Sequence, residues 1–139
     1  MIFIDTNFFV AMLNKKDSKH KRALEILHLL KTPEWGTRLI SDYVLDETIT
    51  FLWSHTRNKN IVKYFYVNLI LNNNFARIEK ITSEDIDQSW KIWNKYAEYP
   101  KRPLSFTDCT ILALLDRLKI NTLITFDDEF NGLVEKIIF

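Results

Sequence analysis

The chain has 139 residues, a formal net charge of +1 and a mean hydropathy of −0.14. That length suits one domain, 1–139, with a core of its own, and the near-neutral charge excludes nucleic-acid binding through bulk charge alone. A single cysteine, Cys109, excludes an internal disulfide, and no apolar run approaches the ~18 residues that span a bilayer. The expected setting is the reducing cytoplasm, away from the membrane. Met1-Ile2-Phe3-Ile4 already reads as a strand, so no signal peptide is expected before the fold.

Ile2 to Ile4 is a short apolar strand that stops at Asp5-Thr6-Asn7, and a short helix covers Phe8 to Leu13. Ser18 is placed to cap a helix running to about Lys31, with Ala23, Leu24, Leu27 and Leu30 at helical spacing. Pro33 and Gly36 break it, and Thr37 to Ile40 is a second strand. Ser41 caps a third helix to about His55, and Asn58 to Asn72 is a fourth, rich in apolar and aromatic residues. Phe75 to Ile81 is a third strand. Thr82-Ser83-Glu84-Asp85 is a capping box that opens a helix to about Tyr99. Pro100-Lys101-Arg102-Pro103 is a rigid loop, and Ser105 starts a helix ending near Lys119. Asn121 to Thr125 is a strand, a turn or short helix follows Asp127, and Val134 to Phe139 is the last strand. The alternation predicts a three-layer α/β/α sandwich whose central sheet is mainly parallel, with about five strands. Such sheets bind ligands outside the carboxyl ends of their strands.

Four carboxylates fall where this fold brings chain segments together: Asp5, Glu47, Asp108 and Asp127. Asp5 and Asp127 follow the first and fourth strands, where an aspartate is also a common turn residue or helix cap. Asp108 is more informative, because it shares a helix face with Leu112 and Leu115. Ser105-Phe106-Thr107-Asp108 is itself a capping box, which is compatible with a site but does not require that face. Glu47 lies at the edge of the apolar stripe of its helix, whereas Asp46 turns away and Asp42 has an ordinary capping reading; a rim glutamate is the alternative for Glu47. Asp128 can substitute for Asp127 or assist it. Acids on buried helix faces need partners, and no lysine or arginine neighbours these positions in the sequence. An oxygen-only donor set without a His/Cys cluster suits Mg²⁺ or Mn²⁺, one or two ions, rather than zinc. His20, His28 and His55 are scattered over helices. Such a site activates water and stabilises the leaving oxygen of a phosphodiester.

Four segments carry a resemblance: Ile2-Phe3-Ile4-Asp5-Thr6-Asn7; Ile40-Ser41-Asp42-Tyr43-Val44-Leu45-Asp46-Glu47-Thr48; Leu104-Ser105-Phe106-Thr107-Asp108-Cys109; and Leu123-Ile124-Thr125-Phe126-Asp127. In order and spacing they resemble the signature blocks of PIN-domain nucleases, most closely the VapC-type toxins of toxin–antitoxin pairs. The resemblance implies a metal-dependent endoribonuclease that cuts single-stranded RNA, with Asp5, Glu47, Asp108 and Asp127 as the catalytic and metal-binding acids. It also implies that Asn7, Ser105 and Thr107 brace those acids, and that the chain forms a homodimer which receives an antitoxin segment. A PIN nuclease of ribosomal RNA processing or RNA decay would keep the same residues, and an inactive RNA- or protein-binding module is a further alternative. A phosphatase or phospho-receiver is disfavoured. Asp5-Thr6-Asn7 lacks a second acid two residues on, and Thr125-Phe126-Asp127 stands where a receiver has its lysine.

RNA also needs cations. Lys15, Lys16, Lys19, His20, Lys21 and Arg22 form one basic cluster, and Lys101 with Arg102 forms a smaller one; phosphate binding and a solvated face compete as readings of both. The Asn58–Asn72 helix is apolar around most of its circumference, which fits either a groove or self-contact, or a packed core helix. Trp90 and Trp93 read as core or boundary aromatics rather than a base-stacking platform, and Cys109 reads as a core residue rather than a nucleophile.

Overall fold

A computed structural model describes the whole chain, Met1–Phe139. Its sheet contains β1 (Ile2–Ile4), β2 (Arg38–Ser41), β3 (Arg77–Glu79), β4 (Thr122–Ile124) and β5 (Lys136–Ile138), ordered β3-β2-β1-β4-β5. Every pairing is parallel; Phe3 stands opposite Leu39 on one side and Leu123 on the other. The chain runs outward from β1 to β2 and β3, then returns to the far side of β1 for β4 and β5. The switch point therefore lies between β1 and β4, and the crevice for a ligand opens at their carboxyl ends.

The helices are α1 (Thr6–Leu13), α2 (His20–Leu29), α3 (Asp42–Thr56), α4 (Lys59–Lys63), α5 (Ser83–Tyr96) and α6 (Phe106–Leu118), which complete an α/β/α architecture. α1 packs on α2 and α3, and α5 packs on α6. Parallel strands covered on both faces need apolar side chains at every position, and Ile2, Phe3, Ile4, Leu123 and Ile124 are all buried. Phe9 anchors the core beneath α1, meeting Phe8, Phe65 and Phe75 edge-on at centroid distances of 5.6, 5.0 and 6.0 Å. The α6 run from Asp108 to Leu115 is buried throughout.

Several expectations are corrected. Ser18 does not cap α2. The Asp17 carboxylate accepts the Lys19 N–H at 2.8 Å and holds a tight turn, so the helix starts at His20 without a side-chain cap and ends at Leu29. The fourth helix is short: α4 passes directly into a π-helical stretch, Tyr64–Asn72. Only Phe65 and Ile70 of that stretch are fully buried, while Tyr64, Tyr66, Val67 and Leu71 face solvent, so this is not a packed core helix. Trp90 and Trp93 are not core residues; they are 56% and 38% exposed. α5 ends at Tyr96 because Ala97 turns extended and Glu98 bridges Arg102, closing the loop that leads to α6. Cys109 does sit in the core, and burial followed by the neighbouring Asp108 pushes its thiol up to about 11.

Candidate active site

Each acid of the cleft is placed by a local motif. Asp5 leaves β1 and caps α1: its Oδ1 accepts the Thr6 N–H at 2.7 Å, while its own N–H reaches the Ile124 carbonyl at 3.0 Å. Its Oδ2 accepts the Thr125 hydroxyl at 2.8 Å. That hydroxyl oxygen also accepts Asn7 Nδ2 at 3.0 Å and the Asp127 N–H at 3.1 Å. Asn7 completes the clamp by accepting the Phe126 N–H at 3.0 Å. Thr125 and Asn7 thus fix Asp5 and the backbone of Asp127 as one unit.

Asp108 is held from the other side by its capping box. It accepts the Ser105 N–H at 2.9 Å, and its own N–H donates to Ser105 Oγ at 3.1 Å. Glu47 comes from α3, whose start is fixed by Ser41 Oγ accepting the Val44 N–H at 3.0 Å. It is half-buried beside the Thr6 hydroxyl, and Thr48 ties α3 to α1 beneath it. Asp127 caps a short turn (Asp128–Phe130) by accepting the Glu129 N–H at 2.9 Å. That turn points Asp128 into solvent and Glu129 into the cleft.

Asp5, Glu47, Asp108, Asp127 and Glu129 therefore line one depression of about 330 Å³, together with Thr6, Asn7, Phe51, Pro103 and Ser105. Carboxylate oxygens of Asp108, Asp127 and Glu129 all lie within 4.8 Å of one another. No ion pair of the protein reaches the cluster: its four pairs are Arg22–Glu25, Arg77–Glu79, Arg117–Asp85 and Lys119–Asp116. The acids show the strain of that arrangement. Burial, then the charge of Asp108, pushes Asp5 up to about 7. Burial, with added repulsion from Asp127 and Glu47, pushes Asp108 up to about 6. Glu47 and Glu129 are also raised, first by partial burial and then by neighbouring aspartates. Hard oxygen donors crowded together without a cation fit a divalent metal ion.

The remaining sequence candidates fall elsewhere. Thr107 lies in an adjoining cleft with Asp42, Tyr43, Asp46, Glu47, Thr50 and Phe51, which shares Glu47 and Phe51 with the acid cleft, and no hydrogen bond joins its side chain to the acids. Lys15, Lys16, Lys19, Lys21 and Lys101 are exposed and outside the acid cleft. His20 Nδ1 lies 2.7 Å from the Ala11 carbonyl. Arg22 donates to the Phe139 carbonyl and to Glu25. Arg102 donates to the Asn131 carbonyl at 2.9 Å, tying the loop before α6 to the loop that carries Asp127 and Glu129.

Glu129, Thr125 and Thr6 are site residues that the sequence reading missed. No periodicity signals Glu129: β4 ends at Ile124, Asp127 caps the Asp128–Phe130 turn, and that turn brings Glu129 into the cleft.

An acid cluster lacking cations, at the switch point of a parallel sheet, is a donor set suited to a divalent metal ion. The PIN domain family model matches residues 2–136, and the chain belongs to the PIN domain family. It is 28% identical over 141 residues to the 23S rRNA-specific endonuclease VapC20 of Mycobacterium tuberculosis, covering 97% of both chains. The crystal structure of that protein, described as a Sarcin-Ricin loop cleaving toxin, matches with a TM-score of 0.77 over 97% of this chain and 98% of that one. FitAcB from Neisseria gonorrhoeae, 18% identical, matches with a TM-score of 0.70 over 99% of this chain and 97% of that one. VapBC2 from Rickettsia felis, bound to a promoter DNA fragment, is 17% identical with a TM-score of 0.67 over 99% of this chain and 98% of that one. The last two share the fold.

Proposed function

We propose that this chain is an endoribonuclease that cleaves single-stranded RNA with Mg²⁺ or Mn²⁺, and that it is the toxin of a VapBC-type pair acting in the cytoplasm. The observation that carries the reading is the set of five carboxylates in one cleft with no lysine or arginine paired to any of them. Asp5, Asp108 and Asp127 would hold one or two ions, with Glu129 as a further ligand. A bound ion supplies Lewis acidity, lowering the pKa of water and neutralising charge on the phosphate oxygens.

The chain's own residues supply the rest. Thr125, Asn7 and Ser105 hold the carboxylates in fixed directions, so no reorganisation is needed when phosphate arrives. Glu47 stands on the α3 wall, facing the cleft with a raised pKa, and its carboxylate orients the attacking water and takes its proton. Attack by water rather than by the ribose 2′-hydroxyl leaves a 5′-phosphate and a 3′-hydroxyl. The exposed Lys15, Lys16, Lys19, Lys21 and Lys101 are free to contact the RNA backbone, whereas Arg22 and Arg102 are held by carbonyls. Charge reversal at Lys15 and Lys16 should weaken RNA binding and flatten its salt dependence.

The named activity of VapC20 makes ribosomal RNA the substrate to test first. An antitoxin and a homodimer are supported by that relative's description as a toxin and by an apolar surface on α3 and the π-helical stretch, where Phe51, Trp53, Tyr64, Tyr66, Val67 and Leu71 are exposed. Expression in a host cell tests the reading. The wild type should arrest growth and generate new RNA ends, and Asp108→Asn should do neither. Identical RNA ends from both proteins would overturn it.

A further inference from the structure

Trp90 and Trp93 stand on one face of α5 with their indoles stacked, centroids 5.5 Å apart and planes 14° from parallel. Trp90 is 56% and Trp93 38% exposed, so both indoles keep a part open to solvent. Trp90 also walls a depression with Ile86, Asp87, Lys91 and Phe106. Phe106 is the first residue of α6, itself exposed, and it follows Ser105 directly. Ser105 lies in the acid cleft and holds Asp108. An aromatic track thus runs from the stacked indoles through Phe106 to the edge of the acids.

We propose that this track is a base-stacking platform for the single strand being cut, with unpaired bases next to the scissile phosphate lying on Phe106, Trp90 and Trp93. The inference rests on the reading of the acid cleft as an RNA-cleaving site. Stacking on flat aromatic faces is how single strands are held without sequence readout, because every base has a π-face. The surroundings suit a base better than a phosphate. Asp87 and Lys91 lie on the same depression and offset each other, so its pull on a phosphate is weak while its apolar walls remain. Lys95, the only other cation toward this end of α5, sits 5.0 Å over the Tyr96 ring, one turn beyond Lys91. Continuity with the acids is what favours RNA over a second copy of the chain as the occupant. A platform joined to the cleft by a shared residue positions the strand that the cleft cuts.

The test measures binding apart from cleavage. In an Asp108→Asn background, the affinity of a labelled single-stranded RNA oligonucleotide is read by fluorescence anisotropy for Trp90→Ala, Trp93→Ala and the double variant. Each single change should weaken binding by about tenfold and the double change by more, at a magnitude set by stacking energies of ~1–3 kcal/mol per base. The slope of affinity against salt should stay the same, because no phosphate contact is lost. Trp90→Phe and Trp93→Phe should keep most of the affinity, which separates stacking from a folding defect. RNA should also quench the tryptophan fluorescence of the parent protein.

Unchanged affinity in the double alanine variant overturns the platform. If that variant instead becomes monomeric where the parent is dimeric, with affinity unchanged, the face is a contact between copies. The two readings fail separately. Loss of binding in the alanine variants alongside a wild type that cuts no RNA with any divalent metal leaves the platform standing and removes the nuclease. Cleavage by the wild type with unaltered binding in the variants does the reverse.

Discussion

α5 and α6 both begin with a hydroxyl cap and an aspartate three residues in, and both aspartates are buried. Thr82 and Asp85 form one capping box, Ser105 and Asp108 the other, with hydrogen bonds of 2.9 and 3.1 Å in each. The surroundings differ. Asp85 receives Arg117 from α6, Nε and Nη2 each 2.9 Å from a carboxylate oxygen. Burial alone would raise Asp85, but the Arg117 and Thr82 hydrogen bonds win and hold it below the usual carboxylate range. Asp108 receives other acids and rises to about 6. A buried carboxylate with an arginine is part of the scaffold; the same carboxylate among carboxylates leaves a place for a cation. Capping geometry does not tell the two apart, and neighbours do.

The comparison breaks most directly at the aspartates. Asp108→Asn should lower kcat by about 10³-fold, the scale of losing a group that stabilises transition-state charge, while leaving the metal-free fold at least as stable. Asp85→Asn should lower thermal stability and leave the activity of the folded fraction unchanged. Circular dichroism melts beside a cleavage assay separate the two outcomes, and equal loss of activity from both would end the distinction.

Glu129→Gln should weaken divalent-metal binding by about 10–100-fold, read by calorimetric titration, and Asp128→Asn should leave it within about twofold. Should Asp128→Asn prove the damaging change, Asp128 and not Glu129 completes the acid set. Arg117→Ala strands Asp85 in a buried position and should cost about 2–3 kcal/mol in urea denaturation. Its rate with saturating metal should match the wild type.

The two sites also respond to pH with opposite sign. Asp5 and Asp108 have raised folded-state values of about 7 and 6. Their protonated forms stabilise the metal-free fold at low pH, and that contribution is lost as pH rises from about 4 through 6 and 7. Asp85 is depressed, so its contribution is present above its unfolded value and is lost only as pH falls through its lower folded one. Melts of metal-free protein should therefore show a decline between pH 5 and about 8 that Asp108→Asn flattens and Mg²⁺ relieves. A decline unaffected by either would contradict the assignment.

Much of the scaffold was legible because its signals are local. β1, the Ser41 cap and both capping boxes rest on residues within four positions of each other, and the structure keeps all of them. Asp5 and Asp127 were legible because a parallel strand must end somewhere, and its carboxyl end is where ligands go. What failed depended on distant partners or on turn detail. Ser18 lost the start of α2 to an Asp17 turn that competes for the same backbone N–H groups. Residue order alone offers Asp128 beside Asp127, whereas the Asp128–Phe130 turn points Asp128 into solvent and brings Glu129 into the cleft. Of the core and boundary readings of Trp90 and Trp93 the core one fails, because α5 buries Asp85 and Ser89 against α6 and leaves both indoles partly exposed. Arg117 is 32 residues from Asp85, and no spacing rule connects them.

The central claim is that the uncompensated acids work only with a divalent metal, and purified protein with single-stranded RNA tests it. Cleavage should require Mg²⁺ or Mn²⁺, stop in EDTA, and leave 5′-phosphate and 3′-hydroxyl ends. Cleavage that persists in EDTA, or products ending in 2′,3′-cyclic phosphate, would contradict it.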